Sequence, residues 1–214
     1  MDLQTLLITE LVPALCSRHG VKSIINSVQA PTETTAEEAF DLLDKKNHIV
    51  QQPGEGGVTY HNPDKENITV TDYEKFVNSL PKSWQTGVKR CDFLIYRKDE
   101  NTFFVCNELS QSRNINSKES DALYQLEQTL KTLTGCPRIK DSLDQCNMKI
   151  CLFSNRIPPI HSPQQMADAF DVRRYLNLPK AAEATPYEPF EKYGFTYYKA
   201  TGVTVQSWKL SFDE

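Results

Sequence analysis

The chain reads as an α/β protein with a mixed central sheet flanked by helices. Three observations predict this. Short apolar runs at Cys91–Tyr96, Phe103–Ser110 and Met148–Phe153 have the length and residue types of buried strands. Between the second and third lies a long helical stripe, Leu123, Leu126, Leu130 and Leu133. Both faces of the first two runs are apolar, as expected of central strands covered on both sides.

The remaining elements follow in order. Asp2 to Arg18 carries apolar residues at helical spacing and stops at Gly20. Thr35 can cap a second helix through Glu38, Phe40 and Leu43, closed by Lys45 and Lys46. His48–Gln52 and Val58–His61 read as strands around the glycine-rich turn 53–57, which lacks the Lys-Ser/Thr of a phosphate loop. Thr71 with Glu74 has the form of a capping box opening a short helix to Leu80. Val88–Arg97 and Thr102–Leu109 form a β-hairpin. A long helix begins at Asn116 or Ser117 and ends at Thr134 before Gly135. Ser162-Pro163-Gln164-Gln165 starts a helix to about Leu176, by its cap and its proline at the first position. Residues 181–189 are proline-rich and irregular, and Phe195–Lys199 with Val203–Phe212 make a terminal hairpin. The whole of 1–214 is expected to be one domain: a core at about 88–153, a helical N-terminal part at about 1–46, and a C-terminal hairpin at about 194–212.

Hydrophobic residues make up 39% and charged residues 24%, the balance of a folded protein rather than a disordered one. No stretch resembles a membrane span. Asp2 stands where a signal peptide has a basic region, and Glu10 interrupts the apolar run. Of six cysteines, Cys91, Cys106 and Cys151 fall inside strand patterns and none forms a CxxC. That usage fits reduced thiols and a cytoplasmic location. Net charge is −4, which by itself argues against nucleic-acid binding. The distribution is uneven: residues 81–180 hold 15 Lys and Arg against 11 Asp and Glu, whereas 1–80 hold 6 against 12. A basic middle segment can steer a polyanion despite the acidic total. The four histidines form no HxH or HExxH pattern, and no GxSxG elbow occurs.

The chemistry-bearing residues lie in the central hairpin. Asp92 and Glu108 each place a carboxylate where a buried strand should be apolar, which is costly without a proton, a partner or a cation. If 99–101 form a three-residue loop, Lys98 opposes Thr102 and Asp92 opposes Glu108, with Cβ atoms roughly 5 Å apart. A two-residue loop would shift that register by one. Carboxylates that close repel, and a divalent cation relieves the repulsion. The plainer alternative is that Asp92 accepts hydrogen bonds from backbone, Lys89 or Arg90, and that Glu108 pairs with Arg113.

This segment, from about Val88 to Phe153, resembles the PD-(D/E)xK nuclease superfamily. An Asp on one strand and an acidic-x-Lys tripeptide on the next are followed by a helix and a further strand. The resemblance implies a restriction-endonuclease-like core, magnesium or manganese held by Asp92, Glu108 and the carbonyl of Leu109, and action on nucleic acid. Gln125 in Leu123-Tyr124-Gln125-Leu126 is similar to a glutamine that some members carry on the following helix. Cys91 stands at the proline position. Ser110 stands at the lysine position and cannot supply a positive charge. Lys118, seven residues before Gln125 and on the same helical face, is a substitute. A third metal ligand from an early helix points to Glu10, with Glu37 or Glu38 as alternatives. Ser110 equally suits a nuclease-like protein that has lost cleavage and binds or assembles with a protein partner or another copy of itself.

Overall fold

The computed structural model describes residues 2–21, 28–43, 48–54, 56, 58–85, 89–98, 102–156, 183–202 and 206–209. Its N-terminal helix runs as α1 (Leu3–Leu6), a π-helical turn (Leu7–Leu11) and α2 (Val12–Arg18). The widened turn ends just before Pro13, which has no N–H to give the helix, and the Val12 N–H bonds to the Leu7 carbonyl instead.

The frame is a seven-stranded mixed sheet in the order β1-β5-β6-β7-β8-β10-β9. Its strands are β1 (Thr32–Thr35), β5 (Ile68–Asp72), β6 (Phe93–Arg97), β7 (Phe103–Ser110), β8 (Met148–Arg156), β9 (Glu183–Thr185) and β10 (Thr196–Gly202). A second sheet of four strands has the order β11-β4-β2-β3, with β2 (Ala39–Leu42), β3 (Val50–Gln51), β4 (Val58–His61) and β11 (Gln206–Lys209). Helices α3 (Tyr73–Asn78), α4 (Lys82–Gln85), α5 (Ile115–Thr134), α6 (Pro137–Asp144) and α7 (Glu188–Glu191) complete the fold. The protein is therefore mixed α/β, with helices packed on the central sheet.

Alternation along the strands sorts the interior into two cores. Leu94, Tyr96, Phe104, Cys106, Cys151 and Phe153 pack with residues of the helices. Phe93, Ile95, Phe103, Val105, Ile150 and Leu152 pack with Phe40, Leu42, Val58 and Tyr60 of the second sheet. Among the described residues, one face of the central sheet is thus covered by helices and the other by strands.

Several expected elements differ. The stretch expected to be a helix around Phe40 is strand β2, because Phe40 and Leu42 alternate into the second core. Helix in the first 46 residues is confined, among the described ones, to Leu3–Arg18. Strands β3 and β4 do not pair with each other; both flank β2. The cap of α3 is Asp72, whose Oδ1 accepts the Lys75 N–H at 2.8 Å, while Thr71 lies within β5. Among the described residues the expected terminal hairpin does not form: β10 runs parallel to β8, and β11 runs parallel to β4 in the other sheet. The 181–189 stretch contains β9 and α7. Helix α6 was not foreseen, although Pro137 at its first turn and Ile139 with Leu143 one turn apart mark it. The helix expected at 162–176 lies outside the described residues.

Candidate functional site

The β6–β7 register pairs Phe93 with Asn107 and Leu94 with Cys106, which is the register that a three-residue loop gives. The strand pairing ends at Phe93; beyond it, the Asp92 side chain reaches the backbone beside Glu108, at Leu109. Glu108 faces helix α5, and each acid is fixed by a different partner. Asp92 Oδ2 accepts the Leu109 N–H at 2.6 Å. Its backbone is fixed as well: its N–H donates to the Asn107 carbonyl at 3.1 Å. Its carbonyl accepts the N–H groups of Tyr73 at 2.8 Å and Glu74 at 3.2 Å, which seats the first turn of α3 on this residue.

Glu108 is only 8% exposed. Its Oε1 accepts a hydrogen bond from Gln125 Nε2 on α5, and its Oε2 is buried without a hydrogen-bond partner. Burial, then the negative charge of Asp92, then Cys91 and Glu74, push its carboxyl up to about 11, against the opposing effect of the Gln125 bond. A lone carboxyl in this setting keeps its proton at neutral pH; a cation between the two acids would favour the ionised form.

Helix α5 is also locked to the segment that bears Asp92. The Cys91 N–H donates to Thr129 Oγ1 at 2.8 Å, and that hydroxyl donates to the Gln125 carbonyl at 2.9 Å. From behind, on the opposite face, Asn107 bonds to the Tyr60 hydroxyl and accepts from Ser154 Oγ at 3.2 Å. The acidic pair therefore sits on two neighbouring segments, one held to α5 through Cys91 and the other held from the opposite face through Asn107.

The structure brings Asp92, Glu108, Leu109 and Gln125 together. Lys118 lies exposed on α5, two helical turns before Gln125. Ser110 is half-buried beside Asn155 of β8. Glu10, in the π-helical turn, pairs with Arg138 of α6 at 2.5 Å. Glu38 pairs with Lys65 at 3.7 Å, and the Glu37 N–H is bonded to Thr35 Oγ1 at 3.1 Å. None of these three acids is among the groups whose charge acts most on Glu108. Glu74 is. Asp72 rather than Thr71 caps α3, and the Glu74 carboxylate lies 3.8 Å from Arg90 Nη2.

Among the described residues, no group of three or more His, Cys, Asp or Glu side chains is arranged to hold a metal ion. The donors that do converge, two carboxylates with one orphaned buried oxygen, are the hard oxygen ligands suited to magnesium or manganese. Trp84 is buried and stacked on His19 with centroids 5.2 Å apart, so it covers the core. All six cysteines are unpaired and buried. No helix among the described residues is long and apolar enough to cross a membrane. No family model matches the chain, and neither a curated protein nor a solved structure matches it.

Proposed function

We propose that this chain is a metal-dependent phosphodiesterase of PD-(D/E)xK type that cleaves nucleic acid. The observation that supports the reading best is Glu108 Oε2, a buried carboxylate oxygen without a hydrogen-bond partner, one residue before Leu109, whose N–H binds Asp92 Oδ2 at 2.6 Å. The antiparallel β6–β7 pair, the crossover through α5 and the parallel β7–β8 pair also accord with the core that such an enzyme needs. Asp92, Glu108 and the carbonyl of Leu109 would hold magnesium or manganese. A divalent cation there supplies Lewis acidity toward a phosphate oxygen.

The chain's own groups do the rest. Gln125 pins Glu108 Oε1 and leaves Oε2 for a cation. The Leu109 N–H fixes Asp92 in turn. Lys118, exposed two helical turns before Gln125, would orient the phosphate. In the hydrolysis a water oxygen forms the new bond to phosphorus, the ester P–O bond breaks, the water proton passes to solvent, and the leaving oxygen takes up a proton.

Ser110 supports a second reading, a catalytically inactive binding or assembly protein on the same frame. DNA and RNA cleavage assays with magnesium or manganese separate the two. The enzyme reading expects cleavage that is lost in Asp92→Ala and in Glu108→Ala; cleavage that survives both substitutions refutes the assignment.

A further inference from the structure

Helix α5 meets the two acid-bearing segments at points one turn apart. Gln125 Nε2 donates to Glu108 Oε1 on β7. Four residues on, Thr129 Oγ1 accepts the N–H of Cys91, the residue before Asp92, at 2.8 Å. Residues four apart share a helical face and lie about 6 Å apart along the axis. One rigid element therefore reaches both the residue that is one acid and the residue that precedes the other.

Thr129 differs from the other threonines near it on this helix. Thr132 and Thr134 donate to the carbonyls four residues back, Gln128 at 2.8 Å and Leu130 at 2.7 Å. That bond is ordinary for a helical threonine. Thr129 makes it too, to the Gln125 carbonyl at 2.9 Å. Among the described residues, it is the one of the three whose hydroxyl also accepts a bond from outside the helix. Its proton is committed to Gln125, so the oxygen is left to act as the acceptor for Cys91. Thr129 is only 1% exposed, and water does not compete for either bond. A single hydroxyl thus joins the backbone of the residue that grips Glu108 to the backbone beside Asp92.

Such a link matters to a cation because ions differ in how much slack they tolerate. A magnesium-sized ion demands near-octahedral ligands at about 2.0–2.1 Å, whereas calcium accepts about six to eight oxygens at about 2.3–2.6 Å in flexible geometry. Few protein ligands at a fixed separation favour the smaller ion.

Resting on the metal-dependent reading above, we infer that Thr129 is the positioning residue that fixes the separation of Asp92 and Glu108, and that this spacing selects a small divalent cation over calcium. It acts through Cys91 and Gln125, without touching the cation.

The test is calorimetric titration of chelator-treated protein with manganese and, separately, with calcium, the folded state of each variant being checked by circular dichroism. Wild-type protein should take manganese more tightly than calcium. Thr129→Val removes the hydroxyl and keeps the shape; its manganese affinity should fall about tenfold or more. Its calcium affinity should fall less, so the manganese-to-calcium ratio narrows. Thr129→Ser keeps the hydroxyl and should retain the wild-type ratio. A hydroxyl that served stability alone would leave the affinities of the folded protein unchanged. Thr129→Ala lacks the same hydroxyl and should repeat the loss, which keeps the inference testable if Thr129→Val does not fold. An unchanged ratio in the variants without the hydroxyl, or a Thr129→Ser protein as impaired as they are, overturns the role of Thr129 while leaving the metal site standing. Wild-type protein that binds neither ion overturns the metal-dependent reading, and this inference with it.

Discussion

Asp92 Oδ2 is held at 2.6 Å by the N–H of Leu109, the residue that follows Glu108 on the adjacent strand. One acid is thus tied to the backbone beside the other, and the pair cannot move apart without breaking a short hydrogen bond. The consequence is a carboxyl at Glu108 that is shielded from water, faces a like charge, and has one oxygen left over.

The pH dependence of stability follows from that carboxyl. Its folded value lies above its unfolded one, so the native state holds a proton that the unfolded state has released. That contribution is complete below the ordinary glutamate range near pH 4.5 and is lost as pH rises toward about 11. In chelator, urea melts should show stability falling with pH above that range, with a limiting slope near ~1.4 kcal/mol per pH unit for one proton. Glu108→Gln should flatten the fall and be the more stable protein at alkaline pH.

Thr129 links α5 to the strand that bears Asp92. Thr129→Val keeps the shape and leaves the buried Cys91 N–H without its acceptor. Equilibrium urea unfolding should show a loss of about 1–3 kcal/mol.

The contact between Tyr60 and Asn107 joins the second sheet to β7 next to Glu108. Tyr60→Phe leaves the buried Asn107 amide short of one acceptor and should cost about 1–3 kcal/mol by the same measurement. The loss should vanish in a double-mutant cycle with Asn107→Leu, since the coupling has then already been removed.

Cys91, Cys106 and Cys151 are wholly buried, and burial raises each thiol above its usual range. Iodoacetamide should leave all three unmodified in the native protein and label them after unfolding in guanidinium, as read by peptide mass spectrometry.

The hairpin register was legible because Leu94, Tyr96, Phe104 and Cys106 alternate cleanly, and a slip by one residue would turn every one of them to the other face. Helix α5 was legible from its apolar spacing and from Gly135 at its end, with Asn114 as the cap one or two residues earlier than expected. The second sheet was not. Its strands come from separate stretches of the first third of the chain and from 206–209, and no local pattern announces a parallel pairing between Trp208 and Tyr60. Asp41, inside the stretch expected to be a helix, is fully buried in β2, with Thr59 Oγ1 donating to its Oδ1 at 2.6 Å. Its Oδ2 accepts the N–H groups of Gly54 at 2.9 Å and Gly56 at 2.6 Å. Gly56 is required there, since a Cβ would lie 2.9 Å from the Leu42 carbonyl oxygen. Within the site, Asp92, Glu108 and Gln125 were readable as misplaced polar residues at the right spacing. Glu74 was not, because only the docking of α3 onto the Asp92 backbone brings its charge near Glu108.

The most direct test is calorimetric titration of the chelator-treated protein with manganese. Binding by the wild-type protein that releases a proton as Glu108 ionises, and that is abolished in both Asp92→Asn and Glu108→Gln, is the predicted result. Wild-type protein that takes up no manganese, or variants that bind it as tightly as wild type does, would contradict the account.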